Sequence, residues 1–376
     1  MVTERARASR RRSDMTVRLR HRWLFVLALV AGTGCGQTSF SEGPQLAPPG
    51  RLAGAVLAFD AGLGTVVAVG GPALSGRDAL DLWSWDGHRW QPADVGGSPP
   101  ARTSPLAAAD PSTGGVLLVG GQTGGTSSTS CSPTPTTTPT GGRPAMCAGV
   151  AVPVHPLSDV WSLNGRAWKQ VAPNGTVPQQ GQLLAAAPSL SSVVLVGRTR
   201  ALTAAATAGT WRWTGHHWAL VTATTPEAAG SMAADPASGA LLAYGGQAPF
   251  TPGPGMGAAS TAGYSRTWQL TGSGWQELHP ATVPDHAPGV MTDTPDGTRL
   301  LLISTTGLTW TWIGNAWQPY TTTSASGSAP SWSGVHLSAA TNPRTGQVVL
   351  LAAVGISGDA TWTLTGRRWQ QQPGTP

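Results

Sequence analysis

The 376-residue chain is 40% hydrophobic and only 11% charged, and it holds 50 glycines and 32 prolines. Low charge, with short apolar runs broken by Gly and Pro, excludes long amphipathic helices and heptad seams and favours an all-β fold. The net charge of +6 sits in residues 1–34, where eight arginines oppose only Glu4 and Asp14; the rest of the chain is balanced, so no nucleic-acid partner is expected.

The first predicted element is an export leader. Arg-rich MTVRLRHR (15–22) precedes the apolar run WLFVLALVAG (23–32), then small residues and Cys35. A charged start, a short apolar stretch and a small-residue cleavage site make residues 1–34 a signal peptide. The run is short of the roughly 20 apolar residues that a spanning helix takes. Either Met1 or Met15 can serve as the start. The ending AGTGC resembles a bacterial lipoprotein box, with Thr33 and Gly34 before the cysteine and Gly32 where Leu or Val is usual. The resemblance implies a lipid on Cys35 and a place at the outer face of the cell membrane, with plain secretion as the alternative. Residues 35–50 follow as a tether containing Pro, Gly and Ser.

From residue 51 the chain repeats itself. The spacing W-x-[WL]-x-G-x-x-W occurs as WSWDGHRW (83–90), WSLNGRAW (161–168), WRWTGHHW (211–218), WQLTGSGW (268–275), WTWIGNAW (310–317) and WTLTGRRW (362–369). These six copies take 15 of the 17 tryptophans, so one device recurs rather than one site. Bulky residues at positions one and three share one face of a strand. Asp86-Gly87 and Asn164-Gly165 signal a two-residue hairpin turn. Centred there, the turn pairs residue 85 with 88 and sets Trp83 opposite Trp90. Each phrase is then an aromatic clasp between two strands, packed against a neighbouring unit.

Before each phrase lies an apolar run, such as TVVAVGG (65–71), GVLLVGG (115–121) or ALLAYGG (240–246). Before each run lies a small-residue strand ending in Asp, Asn, Pro and Gly, the residues of turns. The predicted unit is four strands, ordered apolar run, Trp strand, Trp strand, small-residue strand. Six units predict a six-bladed β-propeller. The first strand (53–60) is of the small-residue type and the last unit stops at Trp369. The N-terminal strand is therefore expected to complete the last blade and close the ring.

The doublets Gly70-Gly71, Gly120-Gly121 and Gly245-Gly246, each followed by a closing tryptophan, resemble kelch repeats over residues 51–376, although the third, fifth and sixth units lack the doublet. The resemblance implies a propeller of the galactose-oxidase/kelch superfamily, in which some members are epimerases or oxidases.

Residues 122–158 are a Thr/Ser/Pro-rich insertion assigned to the first blade. Its Cys131 and Cys147 are an even pair in an exported chain, and a disulfide is expected. It would close a loop of about 15 residues, worth about 3 kcal/mol. With no histidine pair nearby the spacing is poor for zinc, and neither metal nor cofactor is expected.

Catalytic groups are sparse. Asp60, Asp110, Asp235 and Asp293 each end a small-residue strand and read as turn residues, and only Glu227 and Glu277 lie beyond the tether. The sialidase box S-x-D-x-G-x-x-W is absent, because Asp86 and Gly87 are adjacent. A galactose-oxidase copper site needs paired tyrosines, and only Tyr244, Tyr264 and Tyr320 exist. The hairpin turns carry His88, Arg89, Arg166, His216, His217, Arg367 and Arg368, read as solvated. Binding residues are expected on the longer connections of the opposite face: Phe250 and Tyr264 in the fourth blade, Tyr320 and Trp332 in the fifth. The expected function is a monomeric binding or scaffold module for a protein or glycan at the cell envelope. A carbohydrate-active enzyme is the alternative.

Overall fold

The computed structural model describes residues 52, 54–70, 79–123, 155–171, 178, 180–199, 207–245, 266–285, 287–324, 330, 332, 336–353 and 359–372. The signal peptide, the tether, Cys35, Cys131, Cys147, Phe250 and Tyr264 lie outside these residues. The described residues belong to the unit Leu46–Pro376.

Period-two alternation builds six antiparallel sheets of four strands. Blade I holds β1 (Val56–Asp60), β2 (Thr65–Val69), β3 (Leu82–Trp85) and β4 (Trp90–Pro92). Blade II opens with β5 (Leu106–Ala109) and β6 (Val116–Val119). A small ladder of β7 (Gln122–Thr123) and β8 (His155–Pro156) then precedes β9 (Val160–Leu163) and β10 (Trp168–Val171). Blade III holds β11 (Gln180–Ala187), β12 (Ser192–Thr199), β13 (Thr207–Trp213) and β14 (Trp218–Thr222). Blade IV holds β15 (Ala229–Ala234), β16 (Leu241–Gly245), β17 (Arg266–Thr271) and β18 (Gly274–Leu278). Blade V holds β19 (Gly289–Asp293), β20 (Leu300–Ser304), β21 (Thr309–Ile313) and β22 (Ala316–Pro319). After β23 (Thr323–Ser324), blade VI holds β24 (His336–Asn342), β25 (Gln347–Ala353), β26 (Asp359–Thr365) and β27 (Arg368–Gln371). The small-residue strands β1, β5, β11, β15, β19 and β24 lie side by side in a closed ring, β24 returning to β1. The protein is a six-bladed β-propeller.

Three expectations need correction. The N-terminal strand does not complete the last blade. β1 hydrogen-bonds β2, from Val56↔Val69 to Asp60↔Thr65, and β24 is the innermost strand of blade VI. The small-residue strand and the run after it are joined by a tight turn, here capped by the bond from Leu63 N to Asp60 Oδ1, so they pair locally. Shifting the phase by one strand leaves the number of blades unchanged. The insertion belongs to blade II, not blade I, because β6 and β9 flank it and share that sheet. At its base the buried Arg102 guanidinium grips both oxygens of Asp159, at 2.6 and 2.8 Å, and donates to Gly120 O.

The third correction concerns register. Trp90 stands opposite Trp85, not Trp83, and Trp83 stands opposite Pro92. Gly87, with φ of 106°, occupies the first corner of the turn, and Asp86 sits before it, accepting from His88 N and Arg89 N. The turn is therefore centred one residue later than the Asp-Gly pair suggests. Trp83, Trp85 and Trp90 still share one face, because opposite residues and alternate residues both do.

That face is where the blades meet. Six hydrophobic clusters fill the six seams, and in each the tryptophans of one blade lie on the preceding blade. Trp83, Trp85 and Trp90 of blade I pack with Val349 and Leu351 of blade VI and so seal the ring. Where position three is Trp, the indoles pair across the hairpin at 5.1 Å, as Trp85–Trp90, Trp213–Trp218 and Trp312–Trp317. The other face of the Trp strand presents Thr, as in the row Thr361, Thr363, Thr365. The closing indole of the next blade donates to the Thr just before the phrase: Trp275 to Thr210 at 2.8 Å, Trp317 to Thr267 and Trp90 to Thr361 at 2.9 Å. Blades III, IV and VI thus set an indole face and a hydroxyl face back to back with their neighbours. Leu82 and Val160 hold that position in blades I and II, and in blade V the Thr309 hydroxyl donates to Tyr320 O and leaves Trp369 Nε1 without a partner.

Chain leaving one blade also covers the edge of the next. β23 pairs in parallel with β27, and Gly96 N donates to Arg166 O on the hairpin of blade II. These additions protect outer strands that would otherwise present open edges.

Candidate functional site

Two cavities combine chemistry with access. The first lies on the propeller axis, encloses about 420 Å³ and is walled by the six innermost strands. Alanines dominate it, because six converging strands leave little room for larger side chains. Of the carboxylates read from the sequence, Asp60, Asp110 and Asp235 are engaged in their own turns. Asp110 accepts from Ser112 N, Ser112 Oγ and Thr113 Oγ1, and Asp235 accepts from Ser238 N and Ser238 Oγ. Burial raises the Asp60 carboxyl, against the lowering effect of the Leu63 and Gly62 amides.

Asp293 is not their equivalent. The proline that follows the turn residue in every blade but the first, where Ala61 follows Asp60, marks the level: Asp110-Pro111, Ala187-Pro188, Asp235-Pro236, Thr294-Pro295 and Asn342-Pro343. Thr294 holds the turn position in blade V, and Asp293 stands one residue earlier, where the other strands carry Phe59, Ala109, Ala186, Ala234 and Thr341. Burial first, and the Asp235 carboxylate second, push Asp293 up to about 6. The prolines in the sequence carry the signal that separates Asp293 from the turn aspartates.

The second cavity is a cleft of about 250 Å³ in the seam between blades VI and I. The hairpin of blade I supplies Gly87 and His88. Blade VI supplies Gln347, Thr363, Thr365, Arg368, Gln370 and Gln372 from its hydroxyl face. Trp85 Nε1 donates to Gln347 Oε1 at 2.8 Å, which orients that amide and leaves its NH2 as a donor. Gln372 Nε2 donates to Thr363 Oγ1 at 2.7 Å, which leaves its carbonyl as an acceptor. The lining therefore presents oriented amides, hydroxyls, an imidazole and a guanidinium, with no carboxylate. Such a set can hydrogen-bond the hydroxyls of a polyol; the lining lacks the paired acids that glycoside cleavage uses.

The described residues expected to bind are packed on the seam between blades V and VI. Tyr320 donates its hydroxyl to Gly366 O at 2.9 Å, and the Arg367 guanidinium covers its ring at 4.3 Å. Trp332 is only 5% exposed and meets Trp369 edge-on at 5.4 Å, so it anchors the rim. Neither lines the VI–I cleft. Among the described residues no group of three or more His, Cys, Asp or Glu side chains could hold a metal ion.

No family model matches the chain, and no curated protein does. Solved structures do. The chain is similar to YjhT, at 10% identity over 87% of this chain and 100% of that one, with a TM-score of 0.50. At that identity the likeness speaks for the fold alone. It is also similar to the SapL1 lectin in complex with alpha methyl fucoside, at 13% identity over 87% and 99% of the two chains, TM-score 0.45. A third is the Aleuria aurantia lectin, described as a six-bladed β-propeller with a novel fucose recognition mode, at 12% identity over 88% and 98%, TM-score 0.44.

Proposed function

We propose that this chain is an exported glycan-binding module, held at the outer face of the cell membrane by a lipid on Cys35, which binds saccharide in the VI–I cleft. The observation that carries the reading is the composition of that cleft. Its donors and acceptors are oriented by bonds to the seam itself, as Gln347 is by Trp85 and Gln372 by Thr363. Prealigned neutral groups bind hydroxyl-rich ligands without the cost of ordering them on contact. Binding rather than catalysis is favoured because the turn aspartates Asp60, Asp110 and Asp235 are committed to structure. The glycine doublets fit a kelch-like ancestry: Gly245 has φ of 124°, and a Cβ there would lie 2.7 Å from Gly230 N.

The test is a glycan array, α-methyl fucoside and uronic acids included, probed with the full chain and with Arg368→Ala and Gln370→Ala. Both residues are exposed, so the fold should survive their truncation. The reading predicts at least a tenfold loss of affinity in each variant. Saccharide binding that both variants leave intact would place the site elsewhere. Palmitate labelling tests the anchor: wild type should incorporate label and Cys35→Ser should not.

A further inference from the structure

The axial cavity differs from the cleft in kind and does not depend on the glycan reading. Alanine methyl groups dominate its walls, and Leu57, Phe59, Leu184, Met232 and Met291 add bulkier apolar surface. One charged group in it is free. Thr341 Oγ1 donates to the backbone oxygen of Asp293 rather than to its side chain, and Thr292 Oγ1 pairs with Thr341 Oγ1. Among the described residues no donor reaches the Asp293 carboxyl. Asp235, the other acid of the lining, has both oxygens occupied by its own turn.

An unpartnered carboxylate in an apolar cavity is costly and calls for a ligand. A metal ion would need several protein ligands, and the described residues offer no such group. A carboxylate with no donor of its own, beside a second acid already held by its turn, fits an organic cation, whose charged head meets the free carboxylate while its body covers alanine. We infer that the axial cavity binds a small primary amine with a compact aliphatic body, its ammonium group on the Asp293 carboxylate.

Several groups face Asp293 from the surrounding elements. Asp235 approaches from the turn that follows β15, and Thr341 and Asn342 of β24 are neutral. Arg344 follows in the next turn, where it donates to Ala61 O and lies over the Phe59 ring. Asp296 and Arg299 belong to the turn after β19, and Asp296 is occupied by Thr294 and Thr298. With the Asp293 carboxyl at about 6, the site is charged at neutral pH and releases its amine in acid.

Isothermal titration of the full chain with hexylamine, hexanol and hexanoate tests this at pH 7.5 and pH 5. Hexylamine should bind at least tenfold more tightly than hexanol at pH 7.5, weaken at least fivefold at pH 5, and outcompete hexanoate throughout. Asp293→Asn should reduce hexylamine affinity at least tenfold and leave glycan binding at the cleft unchanged, so the two readings fail separately. Ala234→Leu, which fills the cavity and keeps the carboxylate, should abolish amine binding in a chain whose circular dichroism is that of wild type. Hexylamine affinity equal in wild type and Asp293→Asn, or no hexylamine binding to wild type, would overturn the inference.

Discussion

The IV–V and II–III seams hold the same aromatic pair at the same separation, Trp312–Trp317 in one and Trp213–Trp218 in the other, both at 5.1 Å. Only one of them completes its polar bond. Trp317 Nε1 reaches Thr267, whereas Trp218 Nε1 is buried without a partner in a seam where Val160 holds the position of Thr267. Trp369 Nε1 is also unpartnered, since the Thr309 hydroxyl at that position donates to Tyr320 O. The pair keeps its separation with or without the bond, the rings crossing at 66° in the IV–V seam and 55° in the II–III seam. Indole packing therefore sets where the blades lie, and the hydroxyl adjusts how firmly they hold.

The largest expected effect falls on the packing. Trp317→Ala should destabilise the propeller by about 3–5 kcal/mol in denaturant unfolding, and Trp218→Ala should do the same despite its missing bond. A loss below about 1 kcal/mol in either would show that indole packing does not hold the seams.

Next comes the channel, where no indole shields the charge. The Asp293 carboxyl is raised from 3.8 to about 6, so the folded chain binds a proton more tightly than the unfolded one. Its contribution is favourable below about pH 4 and is lost as pH rises towards 6. Asp293→Asn should thus stabilise by about 2 kcal/mol at pH 7.5, allowing for partial exposure, and give no gain at pH 4. Equal gains at both pH values would show that the carboxyl is not perturbed.

The smallest effect falls on the II–III seam, whose indole lacks an acceptor. Val160→Thr supplies Trp218 with the acceptor it lacks and should raise stability by about 1 kcal/mol. Unchanged or reduced stability would mean that the seam cannot turn the new hydroxyl towards the indole.

Blade number was legible because the phrase keeps its spacing while the loops vary. Its one-residue offset was not: both Asp86-Gly87 and Gly87-His88 satisfy two-residue turn chemistry, and only the backbone chooses. The strand phase escaped for a related reason, since a cyclic repeat reads the same from any starting strand. The hydroxyl face was written in the chain, with Thr210, Thr267, Thr309 and Thr361 directly before their phrases. The candidate cleft was not, because His88 and Gln372 meet only when the ring closes. Trp332 was identified as an odd tryptophan, but its place against Trp369 comes from a loop that carries no periodic signal.

The central claim is that indole and threonine from adjacent blades form one energetic unit. A double-mutant cycle on Trp317→Phe and Thr267→Val measures it directly by equilibrium unfolding. The account predicts a coupling of about 1 kcal/mol, the double variant losing less than the sum of the singles. Strict additivity would contradict it.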